Sequence, residues 1–473
     1  MTLVDELRST LGSERVHSHP LQLLLYDKDA GATSGKVAAV ALPETTQEVA
    51  ACVRIAREHD TAVVARGAGT GLAGGAVPED PALLVVLTRM NRIWEIDDRA
   101  RTAWVGAGLF NLDLTRATDH LGLHYAPDPS SQAACTIGGN VATNAGGPHC
   151  LAEGTTVAHI LGVEMVTADG DVLILGGKSP DPLGLDLRGV VVGSEGTLGI
   201  VTKVLVKLTE NPPAVRTLLL TFDSIEGAAA AVSGTIAAGI VPAALEMMDQ
   251  PMVIAVENFI KGGLPVDAVA VLLAELVGLE PGVEAEAETV ERIAREAGAT
   301  SVRVAADEDE RALLWKARKN AFGAVAQAAP DYYLHDTVVP RTKLVEVIGE
   351  VYAIGERYGI KMLNVFHAGD GNLHPLVAYD SSVPGMSDKV RAAAEEMVRV
   401  SVAAGGSLTG EHGVGLEKRD LMGLVFEPVD LDAQARLREA FDSSGLLNPG
   451  KVLPRGARCY DYGLNPGPGE VAP

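Results

Sequence analysis

Cysteine is scarce in this chain of 473 residues, and the four present, Cys52, Cys135, Cys150 and Cys459, form no Cys-x-x-Cys pair. Their scatter argues against a zinc ribbon, an iron–sulfur cluster or a disulfide scaffold. Positive charge is also short: 39 Lys and Arg face 62 Asp and Glu, for a formal net charge of −23 at pH 7. Such a field repels phosphate backbones and anionic lipid, so no nucleic-acid partner is expected. Apolar runs such as Ala228 to Val241 are interrupted by Gly, Ser and Pro and fall short of the ~20 residues that span a bilayer. The first residues, Met1 to Arg8, carry no basic segment leading into an apolar stretch and a cleavage site. A cytoplasmic protein without a transmembrane segment is therefore expected. No fixed-period repeat is present.

What is present is a globular mixture, 47% hydrophobic and 21% charged. The length exceeds one ordinary core, and roughly two or three domains of about 100 to 250 residues are expected. Helical spacing of Val49, Cys52, Val53, Ile55 and Ala56 predicts a helix over Thr45 to His59, followed by a strand over Ala62 to Ala65 and a buried strand over Leu83 to Leu87. Asn211, Pro212 and Pro213 mark a boundary. Beyond it the pattern predicts a strand at Thr217 to Phe222 and helices at Ile225 to Ala238, Asp267 to Leu276 and Thr289 to Ala297. This alternation reads as an α+β domain with an antiparallel sheet. A helix at Ala433 to Phe441 precedes a Gly- and Pro-rich tail, expected to be loose from about residue 455.

Between the first strands lies Arg-Gly-Ala-Gly-Thr-Gly-Leu-Ala-Gly-Gly, Arg66 to Gly75. Gly69, Gly71 and Gly74 spell the Gly-x-Gly-x-x-Gly fingerprint, but that fingerprint needs a helix opening at the loop. Gly75, Pro78 and Pro81 interrupt such a helix. The loop must instead offer its backbone N–H groups directly to an anion. Two further small-residue runs, Pro127 to Gly147 and Gly193 to Ile200, point to one large phosphate-bearing ligand lying on exposed backbone.

In the second half, Met362 to Tyr379 reads as strand, turn, strand, and a hairpin would set His367 and His374 across from each other, within reach of one metal ion. Gly410-Glu-His-Gly-Val-Gly415 adds a carboxylate and a third imidazole. Two imidazoles and a carboxylate suit zinc, manganese, iron or cobalt.

Over about Val37 to Pro454 these motifs resemble the vanillyl-alcohol oxidase and p-cresol methylhydroxylase superfamily, in the branch holding the glycolate oxidase FAD subunit, D-lactate dehydrogenases and D-2-hydroxyglutarate dehydrogenase. The resemblance implies an FAD-binding domain of the p-cresol methylhydroxylase type, built of two subdomains, over 1–211. It further implies an α+β substrate domain over 212–430, and a segment, 431–473, that returns to the FAD domain. Under it, Arg66, Gly67, Ala68, Gly69, Thr70, Gly71, Gly74 and Gly75 hold the pyrophosphate. Pro127, Ser130, Thr136, Gly138, Gly139, Asn140, Thr143 and Gly146 line the flavin. Glu195, Gly196 and Ile200 lie by the adenosine and ribose. Asn448 and Lys451 belong to the returning segment, with Lys451 near the isoalloxazine. His149 and Cys150 stand where some relatives attach flavin covalently, whereas most of this branch binds it without a bond.

The same resemblance makes His367, His374 and Glu411 ligands of a divalent metal, zinc or manganese, and His412 the base. Arg318 becomes the partner of the substrate carboxylate, although Lys316 and Lys319 beside it also fit a solvated basic helix face. The implied reaction is oxidation of a small D-2-hydroxy acid, glycolate or D-lactate, with hydride passing to flavin N5. Phe322 and the 331–336 stretch disfavour a dicarboxylate such as 2-hydroxyglutarate. Two alternatives stay open, a D-2-hydroxyglutarate-type dehydrogenase and a non-catalytic flavoprotein subunit of a respiratory complex, while a non-haem iron oxygenase would be decided against by bound FAD. Implied partners are a second flavin-type subunit and an iron–sulfur subunit or other acceptor, with peripheral placement at the inner membrane through them.

Overall fold

A computed structural model describes residues 1–179, 184–327 and 329–455; the expected loose tail lies almost wholly outside them. The chain begins with a four-stranded sheet in which Val37–Ala41, Ala82–Val86 and Val63–Arg66 run parallel and Val16–His17 pairs antiparallel at one edge. Helix Thr46–Glu58 starts where the Thr45 side chain accepts from the Glu48 N–H, as a Ser/Thr N-cap should. Its apolar stripe, Val49, Cys52, Val53 and Ala56, is fully buried with Leu83 and Val85. After Arg66 no helix opens, and the glycine run leads to strand Ala82–Val86, as its prolines dictate.

An antiparallel five-stranded sheet follows, ordered Ile93–Asp97, Thr102–Gly106, Ile200–Lys207, Ile160–Val166, Val172–Gly176. The second small-residue run is not loop throughout: it contains helix Ile137–Thr143, capped by the Thr136 hydroxyl on the Gly139 N–H. Helix Leu187–Val191 likewise leads into the third.

From Ala214 onward one large antiparallel sheet dominates. Its order is Ala299–Val304, Ala214–Phe222, Ala270–Gly278, Ala244–Asp249, Lys361–His367, Asn372–Tyr379, Asp331–Leu334. The predicted helix over Asp267 to Leu276 is a strand here. Val271, Leu272, Leu273 and Ala274 are all buried because both faces of the sheet are covered, and a continuous apolar run does not separate a buried strand from a buried helix. Leu272 joins the core with Val232, Val290 and Met397, while Leu273 joins the opposite core with Met252, Val256 and Leu314. The neighbouring helix is Glu280–Glu296, longer than Thr289 to Ala297.

Period-two alternation positions the site. The sheet face that buries Met248, Val365 and Leu376 also carries Glu246, His367 and His374, each two residues along its strand. After helix Pro428–Phe441 the chain returns to the first sheet, where Leu447 bridges Val63 in parallel.

Because Leu272 sits in the strand that ties both cores together, Leu272→Ala should destabilise the second half by about 2–5 kcal/mol. Thermal melting followed by circular dichroism checks this; an unchanged first transition would mean that the strand relaxes to fill the space.

Candidate functional site

Two buried histidines and a partly buried carboxylate converge. His367 Nε2 and His374 Nε2 lie 3.4 Å and 3.1 Å from the Glu411 carboxylate, and the two rings meet edge to face at 5.1 Å. The histidines do not pair directly across the hairpin: His367 opposes Asn372 and His374 opposes Val365. The diagonal relation keeps them on one face, within reach of each other.

Each ring is oriented by its other nitrogen. His367 Nδ1 is 2.8 Å from Glu246, and His374 Nδ1 donates to the His335 carbonyl at 3.3 Å. Both contacts put a proton on Nδ1, so each Nε2, which faces the Glu411 oxygen, carries either a second proton donated to it or a lone pair that shares a cation with it. Lone pairs aimed at a carboxylate repel unless a cation lies between, and outer acceptors of this kind are how metal-ligating histidines are held. The residues fit a divalent metal. A second trio, Asp336, His374 and His412, is also compact, but Asp336 is already engaged. Its carboxylate accepts from the N–H groups of Gly410, Glu411 and His412, and from Thr409 and Lys418.

His412 stacks on His374 at 5.1 Å with an interplanar angle of 6°. Burial pushes its imidazole down to about 4, so the ring is neutral. Burial alone would raise Glu411, but hydrogen bonds to His367 and His374 hold its carboxyl well below the usual range. Neighbours in sequence are thus a charged acid and a neutral base.

Glu411 and His412 line one end of a cavity of about 420 Å³. One wall is Gly67, Ala68, Gly69, Thr70, Gly71 and Gly75, and another is Ser130, Thr136, Gly139, Asn140, Thr143 and Gly146. Glu195 and Gly196 also line it, together with Lys319, Phe322, Tyr332 and Leu334 from the second half. The first two walls carry little side-chain bulk, which fits a large ligand on exposed backbone. Two glycines are required by close approach: a Cβ on Gly67 would fall 2.3 Å from Thr136 Oγ1, and one on Gly146 would fall 2.6 Å from Glu411 Oε2.

Segment 211–452 matches the family model described as FAD linked oxidases, C-terminal domain, and 37–176 matches the FAD binding domain. The chain belongs to the FAD-linked oxidases. It is 46% identical over 424 residues to the glycolate oxidase subunit GlcD of Escherichia coli (strain K12), covering 90% of this chain and 85% of that one. It is 32% identical to a D-lactate dehydrogenase of Anaerostipes hadrus, covering 92% of each. The fold is that of p-cresol methylhydroxylase, with a TM-score of 0.81 at 18% identity over 96% of both chains.

Several residues of this FAD-linked oxidase expected at the cofactor do not line that cavity, although Arg66 and Gly138 line a smaller one of about 50 Å³ that shares Gly67, Thr136, Gly139 and Gly196 with it. Arg66 is buried, with its guanidinium donating to the Tyr26 and Lys28 carbonyls beneath the glycine loop. Gly74 packs toward Leu416, the Pro127 carbonyl accepts from Asn111, Gly138 abuts Ala107, and Ile200 heads its strand, fully buried. The Glu195 carboxylate accepts from the Val414 and Gly415 N–H groups at 2.7 and 2.9 Å. Asn448 donates to the Gly75 and Glu195 carbonyls. Lys451 does not line the cavity, and its fully buried ammonium is held down to about 8 by burial.

Arg318 is no solvated face: it is 1% exposed and meets Glu246 at 2.5 Å, while its Nε and Nη1 have no hydrogen-bond partner among the described residues. Arg318 is not among the residues that line the cavity, whereas Lys319 is.

Sequence reasoning missed the carboxylates. Glu246 interrupts the apolar strand Ala244–Asp249 and Glu275 interrupts Ala270–Gly278. A lone acid in a buried strand must be paired, and that was the available signal. Glu275 accepts from Thr217, Arg311 and Trp315, and faces His149 at 3.4 Å. His149 also pairs with Asp128 at 2.9 Å. His149 is thus committed to two carboxylates and a ring contact with Trp315, and neither it nor Cys150 lines the cavity.

Burial opposes charge on His149, but Asp128 and Glu275 overcome it and raise the imidazole to about 10. A raised value stabilises the fold fully below the ordinary pKa of about 6.5, and that contribution fades as pH rises through 10. The melting temperature of His149→Gln should therefore fall furthest below that of the parent near pH 6, and the gap should close above pH 10. A gap independent of pH would show that His149 contributes packing alone.

Proposed function

We propose that this protein oxidises a small D-2-hydroxy acid, glycolate or D-lactate, to the 2-oxo acid on bound FAD, with metal-assisted removal of the hydroxyl proton by His412. One observation carries the reading: the neutral His412 ring and the Glu411 carboxylate border the same cavity as the bare-backbone walls of the FAD-binding half. Bound FAD supplies the hydride acceptor, and a divalent ion, zinc or manganese, held by His367, His374 and Glu411 supplies a Lewis acid. His412 takes the hydroxyl proton on an imidazole kept neutral by burial, the form a general base needs. Glu246 orients His367 and holds Arg318, the guanidinium proposed as partner of the substrate carboxylate, whose Nε and Nη1 have no hydrogen-bond partner among the described residues. Phe322, Tyr332 and Leu334 line the second-half side with apolar surface, which accommodates a hydrogen or methyl substituent better than a second carboxylate.

The names of the relatives support the substrate class, and a subunit name among them supports partner subunits; a second flavin-type subunit and an iron–sulfur subunit, or another acceptor, are the partners proposed. Among the described residues Cys52, Cys135 and Cys150 are free, and no helix is long and apolar enough to cross a membrane. A cytoplasmic protein, peripheral at the inner membrane through its partners, fits this reading.

Anaerobic addition of D-lactate or glycolate to the yellow holoprotein should bleach the flavin, with L-lactate and D-2-hydroxyglutarate much slower. Bleaching by none of a panel of 2-hydroxy acids would remove the proposal.

Metal and base should fail differently. His374→Ala should lose metal and activity together, with partial recovery in excess divalent ion. His412→Ala should keep its metal and FAD but reduce flavin on the order of a hundredfold to ten-thousandfold more slowly. Metal analysis beside single-turnover reduction separates them. Full metal content in His374→Ala, or metal loss in His412→Ala, would reverse the assignment.

A further inference from the structure

The loop Gly410–Gly415 carries a proposed metal ligand and the proposed base, and its backbone is held from two sides. Asp336, in the link between strands Asp331–Leu334 and Thr337–Val338, accepts from the N–H groups of Gly410, Glu411 and His412. Glu195, on the FAD-binding half, accepts from Val414 and Gly415 with one oxygen for each. The Glu195 carboxylate is 6% exposed as a residue and its backbone sits at φ +52°, a left-handed conformation that a non-glycine residue adopts at a cost. That conformation is itself secured, because Asn448 donates to the Glu195 carbonyl at 2.6 Å and to the Gly75 carbonyl at 2.8 Å. Gly75 and Glu195 both line the cavity. Gly413 lies so close to Glu195 that a Cβ there would fall 2.7 Å from its Oε1.

We infer that Glu195 is a positioning residue: its carboxylate docks the His412 loop against the FAD-binding half, setting the distance between base and flavin pocket, and makes no contact of its own with the adenosine or ribose. The inference rests on the proposed reaction only for its kinetic consequence. A carboxyl group with one oxygen on each of two backbone donors is a two-point tie, whereas a Gln of the same size can accept from one N–H and presents an NH₂ to the other. Misplacement of a reacting group by about 1 Å costs on the order of a hundredfold.

Two measurements on the FAD-loaded protein test this. Amide hydrogen exchange in Glu195→Gln should quicken about tenfold to hundredfold at Val414 and Gly415, with Gly410 to His412, held by Asp336, unchanged. Anaerobic flavin reduction should slow about tenfold to hundredfold at saturating substrate and retain the isotope effect of a 2-deuterated substrate. Half-saturation, FAD content and metal content should stay as in the parent. Unchanged exchange at Val414 and Gly415 would overturn the inference, and so would loss of FAD, which would return Glu195 to the cofactor. If Glu195→Gln does not accumulate, Glu195→Asp keeps the carboxyl group but withdraws the oxygens by one methylene, and the same two readings apply. The exchange measurement stands whether or not a 2-hydroxy acid proves to be the substrate, so failure of that reading remains distinguishable.

Discussion

A carboxylate removed from water must find a cation or several N–H donors, or give up its charge. The second half of this protein is organised around acids that keep theirs. Glu246 is 1% exposed in the middle of an antiparallel sheet, and burial alone would protonate it. Arg318 and His367 hold it ionised instead. One acid therefore fixes the tautomer of a proposed metal ligand and the position of the guanidinium meant for substrate. Replacing that arrangement by apolar packing could cost nothing in stability, so its retention is best explained by geometry.

The same logic extends across the halves. Asp128 belongs to the FAD-binding half, yet its carboxyl is held near 2 against burial by His149 and by Lys319, the latter from the second half. Glu275, on the large sheet, is likewise held near 2 by His149 and Arg311. Glu195 reaches the opposite way, toward the backbone of the His412 loop. Directional polar ties of this kind thus join the two halves beside the cavity.

The resemblance-bearing motifs were legible because they are written in residues whose chemistry is local. Glycines at 67, 69 and 71 permit a backbone wall, and His367, His374, Glu411 and His412 arrive together because a hairpin and a tight loop deliver them. Helix Thr46–Glu58 and strand Ala214–Phe222 were legible through periodicity and caps. What stayed hidden is set by tertiary burial. Strand Ala270–Gly278 looked helical because apolar residues fill both of its faces. The resemblance alone places Glu195 by the adenosine and ribose, and nothing local reveals that the partners of its carboxylate lie 219 and 220 residues away.

The pairing of Glu411 with His412 shows why such distant ties are needed. A proposed metal ligand must be an anion and the base beside it a neutral ring, although the two share one peptide bond and one buried setting. Burial alone would neutralise both. Glu411 keeps its charge because His367 and His374 face it, while His412 stacks on His374 with no comparable partner at hydrogen-bond distance and loses its proton to burial. The distinction survives only while the loop holds Glu411 toward the hairpin and His412 toward the cavity. Rotation of that backbone would exchange their surroundings and, with them, their protonation states. Asp336 fixes the start of the loop and Glu195 its end, so two acids placed outside the reaction keep the acid and the base inside it distinct.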